Sequence, residues 1–204
     1  LAWTDGEPFF WLGDTAWNGA LRAEPRDWEA YLALRRKQGF SVIQYVCTQW
    51  RGAKDDRLGE QGYIEGDPLK VNPEFFQRID AKAWAVNEHG LVGAPVNLWA
   101  LTESDPGRKL PLEAAIRLGR YIAARLNALH VVWLLGGDGH YDKEFVERWR
   151  AIGRGVFGED RAARDRVVSL HPCGQSWVGD IYRSEPWFDL IGYQSGHGFA
   201  KPEQ

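Results

Sequence analysis

The chain contains no methionine and only two cysteines among its 204 residues. Cys47 and Cys173 stand far apart, each in or just after a run of β-forming residues. Such a pair reads as two buried free thiols rather than as a disulfide framework, and it does not fix the compartment. No apolar run approaches the roughly 18 residues of a membrane span, so no membrane partner is expected. No stripe of Lys and Arg stands out and the formal charge is −3, which argues against nucleic acid as a partner. Three catalytic signatures are missing too. No G-x-G-x-x-G follows the first strand, no H-x-H or H-E-x-x-H occurs, and no G-x-S-x-G surrounds Ser195. A dinucleotide-binding fold, a zinc-protease spacing and a serine nucleophile are therefore disfavoured. The opening "LAWTDGEPFFWLGD" lies already close to a strand, so the chain reads as an internal piece of a longer protein.

Tryptophan is abundant instead, at 11 residues. Trp11, Trp17, Trp50 and Trp99 fall near predicted strand ends. Indoles fill cores, and they also stack on the apolar faces of sugar rings; the residue type alone leaves both roles open.

Strand and helix patterns alternate. Short apolar or β-branched runs at residues 8–13, 40–47, 91–100, 130–138, 166–174 and 188–198 predict six strands. Helical spacing appears at residues 25–39, 72–90, 111–129 and 142–160. Pro25, Asn72 with Pro73, and Asp142 supply start signals, and Gly39 and Gly90 supply stops. Residues 175–187 are expected to be only partly helical. Residues 48–71 form a long polar stretch rich in glycine, and a loop of that length in a compact fold is usually functional or disordered. Residues 1–204 read as one domain, of α/β class with a parallel sheet.

A doubly wound sheet and a (β/α)8 TIM barrel both fit this order. Asp14, Gln44, Asn97, Asp138, His171 and Gln194 all lie near the C-terminal ends of their strands, where a barrel gathers its active site. That placement favours the barrel. A barrel typically needs about 250 residues, so the reading is an incomplete one: the first six βα units, with the last two strands missing.

Asp138 closes the apolar run "VVWLLGGD". An acid at a barrel strand end with apolar neighbours could have a raised pKa and act as a general acid. Gly-Gly-Asp-Gly is equally good turn composition. The paired glycines would let a substrate approach the backbone. Asp14 could accept two sugar hydroxyls, or hold a turn. His171 and His197 each end a strand. With Asp14 and Asp138 they could ligate Zn²⁺, the basis of an alternative reading as a metal-dependent hydrolase. A non-catalytic carbohydrate binder is the third reading. His140, Glu103 and Asp105 read as solvated loop residues.

Several stretches then combine. "DGEPFFWLGDTAW", "LRRKQGFSVIQ", "NPEFFQRID", "VVWLLGGD", "HPCGQS" and "YQSGH" resemble, in order and spacing, the apiosidase-like glycoside hydrolase family, and they span most of the chain. The resemblance implies a TIM barrel acting on plant or microbial polysaccharide, known members releasing apiose from pectin side chains. It implies a two-carboxylate mechanism without a cofactor or metal. Asp138 is then the acid/base, and the nucleophile is a Glu after a seventh strand, to which no Glu of this chain corresponds. Asp14, Trp17, Gln44, Asn97, Trp99, His171, Gln194 and His197 are the expected carbohydrate-binding residues. An extracellular polysaccharide substrate would favour secretion of the full-length protein.

Overall fold

The computed structural model describes residues 1–160 and 166–195. Five parallel strands form the main sheet: β1 (Gly13–Thr15), β2 (Val42–Val46), β5 (Val92–Ala100), β6 (Val132–Gly139) and β7 (Val167–Ser169), in the spatial order β1-β2-β5-β6-β7. A separate antiparallel ribbon of β3 (Tyr63–Ile64) and β4 (Lys70–Val71) lies within the long polar stretch. The helices are α1 (Gly19–Arg22), α2 (Pro25–Lys37), α3 (Pro73–Glu88), α4 (Pro106–Lys109), α5 (Leu112–Leu126), α6 (Val146–Phe157) and α7 (Gly179–Tyr182). Strands that follow one another in space through helical crossovers make this a partial α/β barrel.

Local signals explain most of the elements. Asn72 caps α3 by accepting from the backbone N–H groups of Glu74 and Phe75, and Pro73 occupies its first turn, where a missing N–H costs nothing. Helix α2 starts at Pro25 and gives way at Gly39, whose φ of +84° suits glycine. Ala115, Gly119, Ile122, Ala123 and Leu126 of α5 are buried as their spacing requires. Every residue of β5 is buried, as expected of a central strand with both faces covered. Asp142 makes no side-chain cap; a 3-10 turn at Lys143–Phe145 intervenes before α6.

The structure differs from expectation at the sheet edges. The first strand comes later than residues 8–13, because Pro8 has no N–H for a ladder and Phe10 is exposed. The sixth strand is reduced to one parallel bridge between Ser169 and Leu190. An edge segment with a ladder on one side only gains little from extending. Residues 196–198 of that predicted strand, His197 among them, lie outside the described residues. Cys47 is buried and Cys173 half-buried, and both are free thiols.

Candidate active site

The C-terminal ends of β1, β2, β5, β6 and β7 face the same way, because the strands are parallel. Trp99 and Asp138 stand among the last residues of β5 and β6, and the segments just beyond β1, β2 and β7 carry Trp17, Trp50 with Arg51, and His171. A β-bulge sharpens this geometry. Between Leu98 and Ala100 the register of β5 against β6 shifts, so that Leu98 pairs with Gly136 but Ala100 with Gly139. Strand β6 therefore carries one residue more than its neighbour beside Asp138. Bulges of this kind re-aim side chains at sheet ends.

Asp138 is the focus of the site. His171 Nδ1 lies 3.1 Å from Oδ1, within ion-pair distance though off the line of a straight hydrogen bond. Gln194 Nε2 donates to Oδ1 at 3.1 Å and also to the Pro172 carbonyl at 3.0 Å. Arg51 Nη2 is 3.8 Å from Oδ2. Burial is the largest single influence on this carboxyl and acts upward. His171, Gln194 and Arg51 together outweigh it and hold the pKa below the ordinary Asp value. The sequence-based expectation of a raised pKa is thus corrected: apolar neighbours in the chain are not the neighbours in space.

The glycine pair serves a different purpose from the one expected. A Cβ on Gly137 would lie 2.2 Å from the Trp99 ring, and one on Gly136 would lie 2.2 Å from the Tyr141 hydroxyl. Two rings of the protein itself, rather than a substrate, occupy the space that the glycines leave. Tyr141 donates back to the Gly137 carbonyl. Trp99 is 1% exposed. It packs against Trp50 at 4.2 Å and edge-on against Trp17 at 5.2 Å, and Trp17 is in turn edge-on to His171 at 5.3 Å. Trp99 is therefore a floor beneath the site rather than an open stacking platform. Trp17 is only partly buried.

Gln44, His171 and Gln194 line one cavity of about 380 Å³, together with Trp11, Leu134 and Tyr193. Two other expected residues are not there. Asp14 accepts hydrogen bonds from the Tyr31 hydroxyl at 2.7 Å, from Arg35 Nε and from its neighbour's backbone at Thr15. These α2 partners hold its pKa below the usual value against the upward pull of burial. Asn97 is fully buried and donates to the Gly119 carbonyl of α5 at 3.1 Å. Both side chains face the helix layer, because alternate residues of a strand point to opposite faces. With Asp14 turned away, the set expected around Zn²⁺ is not assembled. Among the described residues no group of three or more His, Cys, Asp or Glu is placed to hold a metal ion.

Sequence reasoning missed two contributors. Arg51 belongs to the polar stretch after β2, and only the adjacent Trp50 signalled a role there. Asp105 is fully buried rather than solvated. Its carboxylate accepts from the backbone N–H of Arg51 at 2.9 Å and from the Thr102 hydroxyl at 2.9 Å. It thus joins the loops after β2 and β5. Glu185 is buried and paired with Arg154 at 2.8 Å and Arg150 at 3.2 Å.

Among curated protein sequences none matches this chain. Solved structures similar in fold include a glycoside hydrolase family 5 protein from Bacteroides vulgatus, with a TM-score of 0.80 and 21% identity over 96% of this chain. A second, described as a glycoside hydrolase, has a TM-score of 0.77 and 24% identity over 95% of this chain. A third, the endo-1,4-beta-D-mannanase of Thermotoga petrophila, has a TM-score of 0.57 and 15% identity over 81% of this chain and 56% of its own length. The chain spans 42% and 43% of the first two. At these identities the likeness establishes the TIM-barrel fold. A model of the apiosidase-like catalytic domain matches residues 1–204 throughout, and the chain belongs to that family.

Proposed function

We propose that this chain is the larger part of the catalytic barrel of a retaining glycoside hydrolase acting on plant or microbial polysaccharide, with Asp138 as acid/base. The observation that carries this reading is the carboxylate at the end of β6, faced by His171, Gln194 and Arg51 at one mouth. As a base, Asp138 is ready: its donors favour the ionised form, which can take a proton from water. As an acid it must first be protonated. A retaining mechanism supplies the means, because the second carboxyl stands about 5–5.5 Å away and like-charge repulsion raises the partner's pKa. The family resemblance assigns that second carboxylate to a Glu after a seventh strand. Glu185, locked to two arginines, does not replace it.

The proposal extends to domain organisation. We propose that residues 1–204 belong to one barrel domain of which they are a part; among the described residues the sheet runs from β1 to a bridge at Leu190. On its own this chain is expected to be marginally stable and inactive. The test is sugar release from pectin and other plant polysaccharides by the full-length protein, by its Asp138→Asn variant and by residues 1–204. Activity only in the first supports the reading. Activity in residues 1–204 that disappears with Asp138→Asn would remove the need for a second carboxylate outside them. Full-length activity unaffected by Asp138→Asn would sink the assignment of Asp138.

A further inference from the structure

Asp138 is the one residue among the last four of β6 that is not glycine. Glycine loses more conformational freedom on folding than any other residue. The bulge adds to the difficulty, because an extra residue drops out of the ladder, and β6 gains its extra residue between the pairs Leu98–Gly136 and Ala100–Gly139. The carboxylate on this strand end nevertheless has to be held closely. His171 and Gln194 both approach it at 3.1 Å, near the outer limit of about 3.2 Å for an N–H···O bond. A small drift of the strand end breaks both contacts.

Three anchors hold it. The backbone N–H of His171 donates to the Gly136 carbonyl at 3.0 Å, and that of Cys173 to the Gly139 carbonyl at 3.1 Å. These two tie the strand end to the segment after β7. The anchor at Gly137, the residue before Asp138, is a side chain: the Tyr141 hydroxyl donates to its carbonyl. Tyr141 is completely buried. Trp149 of α6 packs edge-on against its ring at 4.8 Å, and a Cβ on Gly139 would come within 2.9 Å of that ring. Burial, with Cys173, Asp138, Tyr182 and Asp105 nearby, pushes the phenol well above its ordinary pKa, so the hydroxyl stays a donor at any working pH. Phenylalanine would serve the packing alone. What the hydroxyl adds is one bond, to the carbonyl next to Asp138.

We propose that Tyr141 is a positioning residue for Asp138: its hydroxyl pins the Gly137 carbonyl and so keeps the carboxylate within reach of His171 and Gln194. The inference rests on the reading of Asp138 as acid/base and adds to it the group that holds it in place. His171, Gln194 and Arg51 hold the Asp138 pKa down, so a carboxyl that drifts from them titrates higher.

The test compares the full-length protein with its Tyr141→Phe and Tyr182→Phe variants. Each replacement deletes one buried hydroxyl. The Tyr182 hydroxyl donates to the Tyr141 backbone carbonyl and not to Gly137. Carboxyl ¹³C shifts give the Asp138 pKa, sugar release from plant polysaccharide gives kcat and KM, and Tm reports stability. In Tyr141→Phe the Asp138 pKa is expected to rise and kcat to fall by roughly tenfold, within the range for a small misplacement of a reacting group, with KM nearly unchanged. In Tyr182→Phe the Tm falls while the pKa and kcat stay in place. An unmoved Asp138 pKa in Tyr141→Phe overturns the proposal, as does an equal shift in Tyr182→Phe. Should Tyr141→Phe not fold, Gly139→Ala, whose methyl displaces the ring, is read by the same criteria. The hydrolase reading fails separately: if the full-length protein releases no sugar but Tyr141→Phe shifts the pKa, the positioning stands and the activity does not. If sugar is released and the pKa is unmoved, the activity stands and the positioning does not.

Discussion

Asp14 and Asp138 look alike in the sequence and are opposites in the structure. Each is an acid near the C-terminal end of a parallel strand after a short apolar run that ends in glycine. Asp14 turns outward, where Tyr31 and Arg35 of α2 and the Thr15 backbone occupy its oxygens. Asp138 turns toward the mouth, where Gln194, His171 and Arg51 approach it from separate segments. A carboxylate saturated by one helix of its own βα unit stabilises that unit. A carboxylate met by groups from distant strand ends is the arrangement a site requires, and Asp138 carries the proposal for that reason. The side of the strand decides which, and at Asp138 the extra residue in β6 contributes to that choice.

The sharpest way to break the comparison is to neutralise each acid in turn. On the proposed reading, Asp138→Asn lowers kcat of the full-length protein by about 10²–10⁴-fold, the usual range for a lost general acid/base, with a fall in Tm too small to account for it. A Tm drop that accounts for the lost activity would make Asp138 structural after all.

Next in size is Gly137→Ala. The new methyl meets Trp99, which cannot retreat because Trp50 and Trp17 press on it. Overpacking of this kind costs about 1–3 kcal/mol, measured as a shifted denaturant midpoint. An unchanged midpoint would show that the Trp99 floor yields.

Asp14→Asn should do the reverse of Asp138→Asn. It keeps the size of the side chain and loses the ion pair with Arg35. The cost is roughly 1 kcal/mol after allowance for solvent screening of a partly exposed pair, seen as a lower Tm with kcat nearly intact. A large loss of kcat with normal Tm would return Asp14 to the proposed sugar site.

The contrast also explains what the sequence made legible. Alternating strand and helix patterns, Asn72–Pro73 at a helix start and polar residues at strand ends were enough for the barrel and for the Asp138–His171–Gln194 mouth. They could not give the facing of Asp14 and Asn97, since that depends on where each strand's register begins, and β1 begins later than its apolar run. Asp105 was misread for a related reason. Its surroundings in sequence are polar, while its burial comes from joining two loops that only the fold brings together. Arg51 has no periodicity to mark it, and its meaning comes from a carboxylate 87 positions away.

The smallest effect tests the electrostatics of the mouth directly. His171 is foremost among the groups that hold the Asp138 pKa down against burial. Replacing it by Gln keeps a donor and removes the possibility of charge, so the Asp138 pKa should rise toward the ordinary Asp value. The sign carries over to stability. A carboxyl with a depressed folded-state pKa contributes stability that is present above its unfolded value, near 3.8 here, and is lost as pH falls through the folded value. In His171→Gln the depression is smaller, so both this contribution at neutral pH and its loss on acidification shrink, and the acid-dependent part of the stability curve should flatten. Carboxyl ¹³C shifts of Asp138 followed by NMR give the pKa, and acid titration of folding gives the curve. If the pKa stays put, Gln194 and Arg51 suffice to hold the carboxylate without His171.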